Sequence, residues 1–220
     1  MHPTRLIAFA TLAAALATPA VAKDKLKAAG TQTTVAQYLP PALTADNTWK
    51  LDLSDGGRVV IQLRPDIAPK MVERVKTLTG QGFYNGLTFH RVIEGFMAQG
   101  GDPKGTGEGG SSLPDVPAEF NDLPHVRGAV AAARAADDNS ANSQFYVMLQ
   151  PNLKLDRHYT VFGRVVSGMP YVDAIQRGEP PTNPTRIVRA SIGNGAPTAM
   201  QSTSTSTLAP AAPPAGSIGQ

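Results

Sequence analysis

Between residues 46 and 194, apolar and polar positions alternate in short runs separated by Gly- and Pro-rich breaks. Trp49-Lys50-Leu51-Asp52-Leu53 has a period of two, which sets one side of an extended strand against a core. Asp55-Gly56-Gly57 then supplies turn residues ahead of Val59-Val60-Ile61-Gln62-Leu63, so the two runs predict a hairpin. Pro69 opens a helical stretch that continues through Leu78 and ends at Gly80, with proline in the first turn and glycine at the close. Further strands are expected at 87–92, 96–99, 128–133, 144–149, 160–166 and 186–192, and a short helix at 169–176 fits between the last two. Many short strands joined by Gly/Pro turns predict an all-β barrel or sandwich and not a βαβ sheet.

The pattern changes at both ends. Arg5 precedes the apolar stretch from Leu6 to Leu16, and Ala20-Val21-Ala22 makes a small-x-small cleavage site before Lys23. Residues 1–22 are therefore read as a signal peptide, which places the mature chain in the periplasm or outside the cell. An uncleaved membrane anchor is the competing reading; the run is short and Ala-rich, and Pro19 interrupts it, which favours cleavage. No other stretch reaches the length of a spanning helix. Residues 23–45 contain Pro40-Pro41 and read as a linker or an N-terminal extension. From Gly195 the chain is rich in Ser, Thr, Ala and Pro and carries no charge, so 195–220 is expected to be a disordered tail. One domain, 46–194, remains, long enough to bury one substantial core.

Composition removes several functions. The 21 glycines and 19 prolines agree with many turns. A formal charge of +3, with scattered basic residues, gives no basis for nucleic-acid binding. Without cysteine there is no disulfide, thiolate nucleophile or Cys-based zinc site. His2, His90, His125 and His158 show no metal-binding spacing, so neither a metal nor a cofactor is expected. Gly105-Thr106-Gly107-Glu108-Gly109-Gly110 matches GxGxxG formally. Asp102-Pro103 precedes it and Pro114 and Pro117 follow, so no helix can begin there to hold a pyrophosphate. A surface loop is the better reading.

The informative stretch runs from Phe89 to Asp102: Phe89-His90-Arg91-Val92-Ile93-Glu94-Gly95-Phe96-Met97-Ala98-Gln99-Gly100-Gly101-Asp102. Its apolar residues suit a core, but Arg91 sits inside them. On a strand, the neighbours of Arg91 at even spacing share its face, and Phe96, Met97 and Gln99 on the next strand line the same shallow pocket. A second stretch carries Asn142-Ser143-Gln144-Phe145-Tyr146 and, further on, Tyr159-Thr160-Val161-Phe162-Gly163-Arg164-Val165.

Taken in order, these motifs resemble the cyclophilin family, and its bacterial branch in particular, as do Arg134-Ala135 and the Arg177-Gly178-Glu179-Pro180 loop. The resemblance covers about Asp46 to Asn194. It implies a closed, eight-stranded antiparallel barrel capped by two helices, and a peptidyl-prolyl cis–trans isomerase that helps exported proteins fold. A peptide-binding or holdase domain with little turnover is the alternative. Arg91 corresponds to the family's catalytic arginine. The proline pocket falls on Phe96, Met97, Gln99, Gln144, Tyr146, Leu155 and Tyr159, and the backbone clamp on Ala133 and Arg134. His90 matches a position beside the arginine and is read as a binding or orienting group. The implied partners are proline-containing unfolded or flexible polypeptides, met by a monomer. Tyr146 stands where the best-studied cyclophilins have a phenylalanine, Lys154 where cyclosporin-sensitive members carry a tryptophan, and Tyr159 replaces a histidine. The Tyr146 hydroxyl therefore needs a polar partner or an outlet to solvent.

Overall fold

The computed structural model describes residues 40–193. The leader and the tail lie outside them. Eight strands form one antiparallel sheet: β1 (Thr48–Leu53), β2 (Arg58–Leu63), β3 (Phe89–Ile93), β4 (Met97–Gly100), β5 (Ala129–Ala132), β6 (Phe145–Met148), β7 (Val161–Ser167) and β8 (Ile187–Ile192). Two helices, α1 (Pro69–Gly80) and α2 (Met169–Ala174), complete it. The elements fall where the hydrophobic pattern set them, to within about two residues at each end.

Local chemistry accounts for the turns. The β1–β2 hairpin turns through Gly56 at φ +88°, a left-handed conformation that favours glycine. Glu119, nearly fifty residues downstream, closes the start of α1: its two carboxylate oxygens accept the Lys70 and Met71 N–H groups, each at 3.0 Å. The far end of α1 differs from expectation. Gly80 is still helical, and Gly82, at φ +70°, makes the left-handed exit. Gly82 N–H then donates to Thr79 C=O and Phe83 N–H to Leu78 C=O, a paired closure that satisfies two orphan carbonyls.

The strands follow the order β3-β4-β6-β5-β7-β2-β1-β8. The sheet curls until β8 meets β3, and the seam is narrow. Thr88 and Arg186 form a single antiparallel bridge. Beside it, Phe89 N–H donates to Thr185 C=O at 3.0 Å and Ile187 N–H to Leu87 C=O at 2.8 Å. The barrel is thus an eight-stranded ladder stitched at one point, less fully closed than expected. Beyond Phe89 the edge of β3 pairs with Gly178 instead of β8, which ends the seam.

The interior holds Trp49, Leu51, Ile61, Phe89, Phe145 and Phe162, all buried, with Trp49 packed edge-on against Tyr84 and Phe145. Met71, Val75 and Leu78 of α1, and Val172 of α2, enter the same cluster, so both helices are held by apolar burial. A second cluster lies apart from it: Met97, Ala129, Ala131, Tyr146, Met148 and Val161, with Phe96, Leu155 and Tyr159 packed around them. On β4, β5 and β6 the two clusters take alternate residues, so the second lies on the opposite face of those strands. Ahead of β1, residues 40–47 already rest on the barrel. Gln62 Nε2 donates to Pro41 C=O, and the Asn47 side chain bonds Thr44 N–H and Ala42 C=O.

Candidate active site

Arg91 reaches the second cluster because of a bulge. Phe89 pairs with Gly100 and Arg91 with Gln99, so two steps along β3 oppose one along β4, and His90 is the extra residue. In a regular strand Phe89 and Arg91 would share a face. Here Phe89 stays in the interior while Arg91 turns out beside Ile93 and the second cluster. The even-spacing expectation therefore holds on one side of Arg91 and fails on the other.

A pocket of about 130 Å³ opens there, lined by Arg91, Phe96, Met97, Gln99, Ala133, Arg134, Tyr146, Leu155 and Tyr159. It gathers the expected site residues except two. Gln144 stands one step behind, lining the neighbouring groove and bonded to Gln99. His90 does not line the pocket. Its ring is buried and has no protein partner among the described residues. Burial holds its pKa below the ordinary histidine range, with Asp102 opposing and Arg91 adding to the shift. His90 is thus the bulge residue, with Nε2 beside the Gly107 backbone, and it stands outside the pocket that the other residues line.

The polar side of the pocket is a connected chain. Arg91 Nε donates to Glu179 Oε2 at 2.7 Å, and Arg91 Nη1 approaches Gln99 Oε1 at 3.5 Å. Gln99 Nε2 donates to Gln144 Oε1 at 2.8 Å, and Gln144 Nε2 donates to the Gly107 and Gly109 carbonyls. That glycine loop is organised by Asp102, whose carboxylate accepts N–H bonds from Lys104, Thr106 and Gly107. Burial pushes against its charge, but these backbone donors together hold its pKa below the usual carboxylate range. A Cβ on Gly109 would fall 1.9 Å from Asp102 Oδ1. Within the GxGxxG motif the Thr106 and Gly107 N–H groups already donate to the Asp102 carboxylate, which argues against a phosphate there.

Beneath the pocket, the Tyr146 hydroxyl lies 3.1 Å from His125 Nε2, and His125 Nδ1 lies 2.9 Å from Asp156 Oδ1. A carboxylate only accepts, so the proton sits on Nδ1 and Nε2 accepts the tyrosine O–H. Burial lowers the His125 pKa, against the bond to Asp156, which raises it. Burial pushes the Tyr146 pKa well up. Both shifts favour the neutral forms that this arrangement uses. The rim is set by Arg134, whose guanidinium stacks 4.7 Å from the Tyr159 ring centroid and donates to His158 C=O. Lys154 is exposed on the turn Leu153–Leu155, one residue before the pocket wall.

Sequence reasoning missed Glu179, His125 and Asp156 as members of this site. Only Glu179 carried a signal, inside the quoted Arg177-Gly178-Glu179-Pro180 loop, and it stands 88 residues from Arg91.

Comparison with known proteins agrees with the geometry. The family model described as cyclophilin type peptidyl-prolyl cis-trans isomerase/CLD matches residues 48–192. A probable peptidyl-prolyl cis-trans isomerase of Brucella suis is 47% identical over 167 residues, covering 69% of this chain and 85% of that one. Peptidyl-prolyl cis-trans isomerase B of Bacillus subtilis is 41% identical over 128 residues, covering 58% and 89%. Among solved structures, the cyclophilin AquaCyp293 of Hirschia baltica superposes with a TM-score of 0.63 at 30% identity, covering 68% of this chain and 75% of that one. A cyclophilin type isomerase of Cryptosporidium parvum, crystallised in the presence of the dipeptide Ala-Pro, does so with 0.63 at 26% identity, covering 67% and 99%. With its barrel, its outward arginine and its apolar pocket in place, this chain belongs to the cyclophilin-type peptidyl-prolyl cis–trans isomerases.

Proposed function

We propose that this isomerase catalyses rotation about X-Pro peptide bonds through Arg91, with the proline ring held against Phe96, Met97 and Leu155. The observation that carries the reading is a guanidinium at the rim of an apolar pocket, with Gln99 beside it. Rotation about the C–N bond breaks amide resonance, a barrier of roughly 18–20 kcal/mol. No bond is cleaved and no proton is lost. As the amide twists, its nitrogen becomes pyramidal and gains a lone pair, to which an Arg91 N–H donates. In the planar ground state that lone pair is delocalised, so the bond exists mainly in the transition state and lowers the barrier. An arginine suits the task because it donates and stays charged. An acceleration of about 10⁵-fold requires about 7 kcal/mol, within reach of one charged hydrogen bond plus orientation. Gln99, braced by Gln144, holds the substrate carbonyl or the guanidinium, and the Ala133–Arg134 backbone holds the residues before proline.

The enzyme acts as a monomer on flexible, proline-containing segments of exported proteins, after cleavage behind Ala22. Mass spectrometry of the envelope fraction should find chains starting at or near Lys23; full-length chain in the cytoplasm would refute export. For the chemistry, Arg91→Ala should lower kcat/KM on a short X-Pro peptide by at least roughly tenfold, through kcat more than KM, with the fold intact. Wild-type turnover by that variant would end the mechanism, and a wild-type protein that leaves the uncatalysed rate unchanged would point to a holdase instead.

A further inference from the structure

Glu179 is more than a neighbour of the acting arginine. Arg91 is a long side chain, 41% exposed, yet its reaction needs one N–H aimed at one nitrogen. Its contact with Gln99 is long, 3.5 Å. The short, charge-assisted bond is the one from Nε to Glu179, at 2.7 Å.

The segment that presents Glu179 is fastened through the two residues that precede it. Gly178 N–H donates to Val92 C=O at 2.9 Å and Val92 N–H to Gly178 C=O at 2.8 Å, which ties the segment to the residue after Arg91. Arg177 binds Glu94 through Nε at 2.6 Å and the Asp173 carbonyl through Nη1 at 2.6 Å. Gly178 takes φ +145°, and a Cβ there would fall 2.6 Å from Pro181 Cα, so the backbone path admits only glycine. Carboxylate and guanidinium thus stand on one support. We propose that Glu179 is a positioning residue: it holds Nε of Arg91 and so directs the remaining N–H groups of the guanidinium into the pocket. The pair is part-exposed, so its worth lies in orientation more than in Coulomb energy.

The test is a double-mutant cycle on peptide turnover. Glu179→Ala should lower kcat by about three- to tenfold with KM moved less than about twofold. Glu179→Gln keeps an acceptor oxygen and should recover at least half of that loss. In the Arg91→Ala background, Glu179→Ala should have no further effect. Unchanged or raised kcat in Glu179→Ala overturns the proposal, since a carboxylate that merely neutralised the guanidinium would be better absent. A loss that persists at full size without Arg91, or a glutamine variant no better than alanine, also overturns it. The proposal rests on Arg91 as the acting group. Failure of that reading shows as full turnover in Arg91→Ala alone, whereas failure of this one shows as a silent Glu179→Ala beside an impaired Arg91→Ala.

Discussion

Tyr146→Phe removes one oxygen from beneath the pocket and tests the Asp156–His125–Tyr146 chain. His125 has no exposed side-chain surface, and its Nδ1 is already bound to Asp156. With the hydroxyl gone, Nε2 becomes a buried acceptor whose donor is missing. Leaving such a group unsatisfied costs about 1–3 kcal/mol. Part of this is returned, because the phenol no longer has to be desolvated, so a net loss of about 1–2 kcal/mol is expected. In a domain of this size each kcal/mol moves Tm by about 2–4 °C, which gives a fall of about 2–8 °C. Calorimetry or urea unfolding at pH 7 measures it. Because the ring is held from below, any effect on turnover should appear in KM before kcat. An unchanged or raised Tm would show that the hydroxyl and the imidazole are not engaged as the 3.1 Å contact implies.

Mild acid should weaken the fold through two buried histidines. His90 and His125 both have folded-state pKa values below the unfolded value, because burial favours the neutral ring. Their contribution is complete above about pH 6.5 and is lost as the pH falls from there through the folded pKa, because the unfolded chain binds the protons first. Tm measured from pH 7 to 5 should therefore decline, and a flat profile would contradict the burial of these two rings. Gly109→Ala should disturb the Asp102 carboxylate and with it the Gly109 carbonyl that Gln144 uses; a loss of about 1–3 kcal/mol in unfolding, with reduced kcat/KM, is expected. Full stability in that variant would mean the loop can shift freely. Lys154→Trp should tighten cyclosporin inhibition by roughly ten- to a hundredfold and change peptide kcat/KM less, since the exposed turn lies outside the proline pocket. Nanomolar inhibition of the unmodified enzyme would show that Lys154 is not the determinant.

The sequence by itself determined the elements and the chemistry they carry. Period-two runs, Asp55-Gly56-Gly57 and Pro69 act over a few residues, so strands, hairpin and helix start were legible without a partner in view. Arg91 stood out because a charge inside an apolar run demands a reason. The exit of α1 was harder to read, since Gly80 and Gly82 both follow the apolar stripe and only the backbone turn distinguishes them. Which way Arg91 faces was decided by the bulge at His90, and a bulge is a property of two paired strands. Pairing Arg91 with Gln99 in that offset turned the arginine toward the pocket and left His90 beneath the glycine loop. Likewise Glu179 and His125 acquired roles only when barrel curling brought distant segments to Arg91 and Tyr146. Spacing along the chain records local propensity. It holds no record of which buried polar atoms meet through space, and those meetings set the orientation of the site.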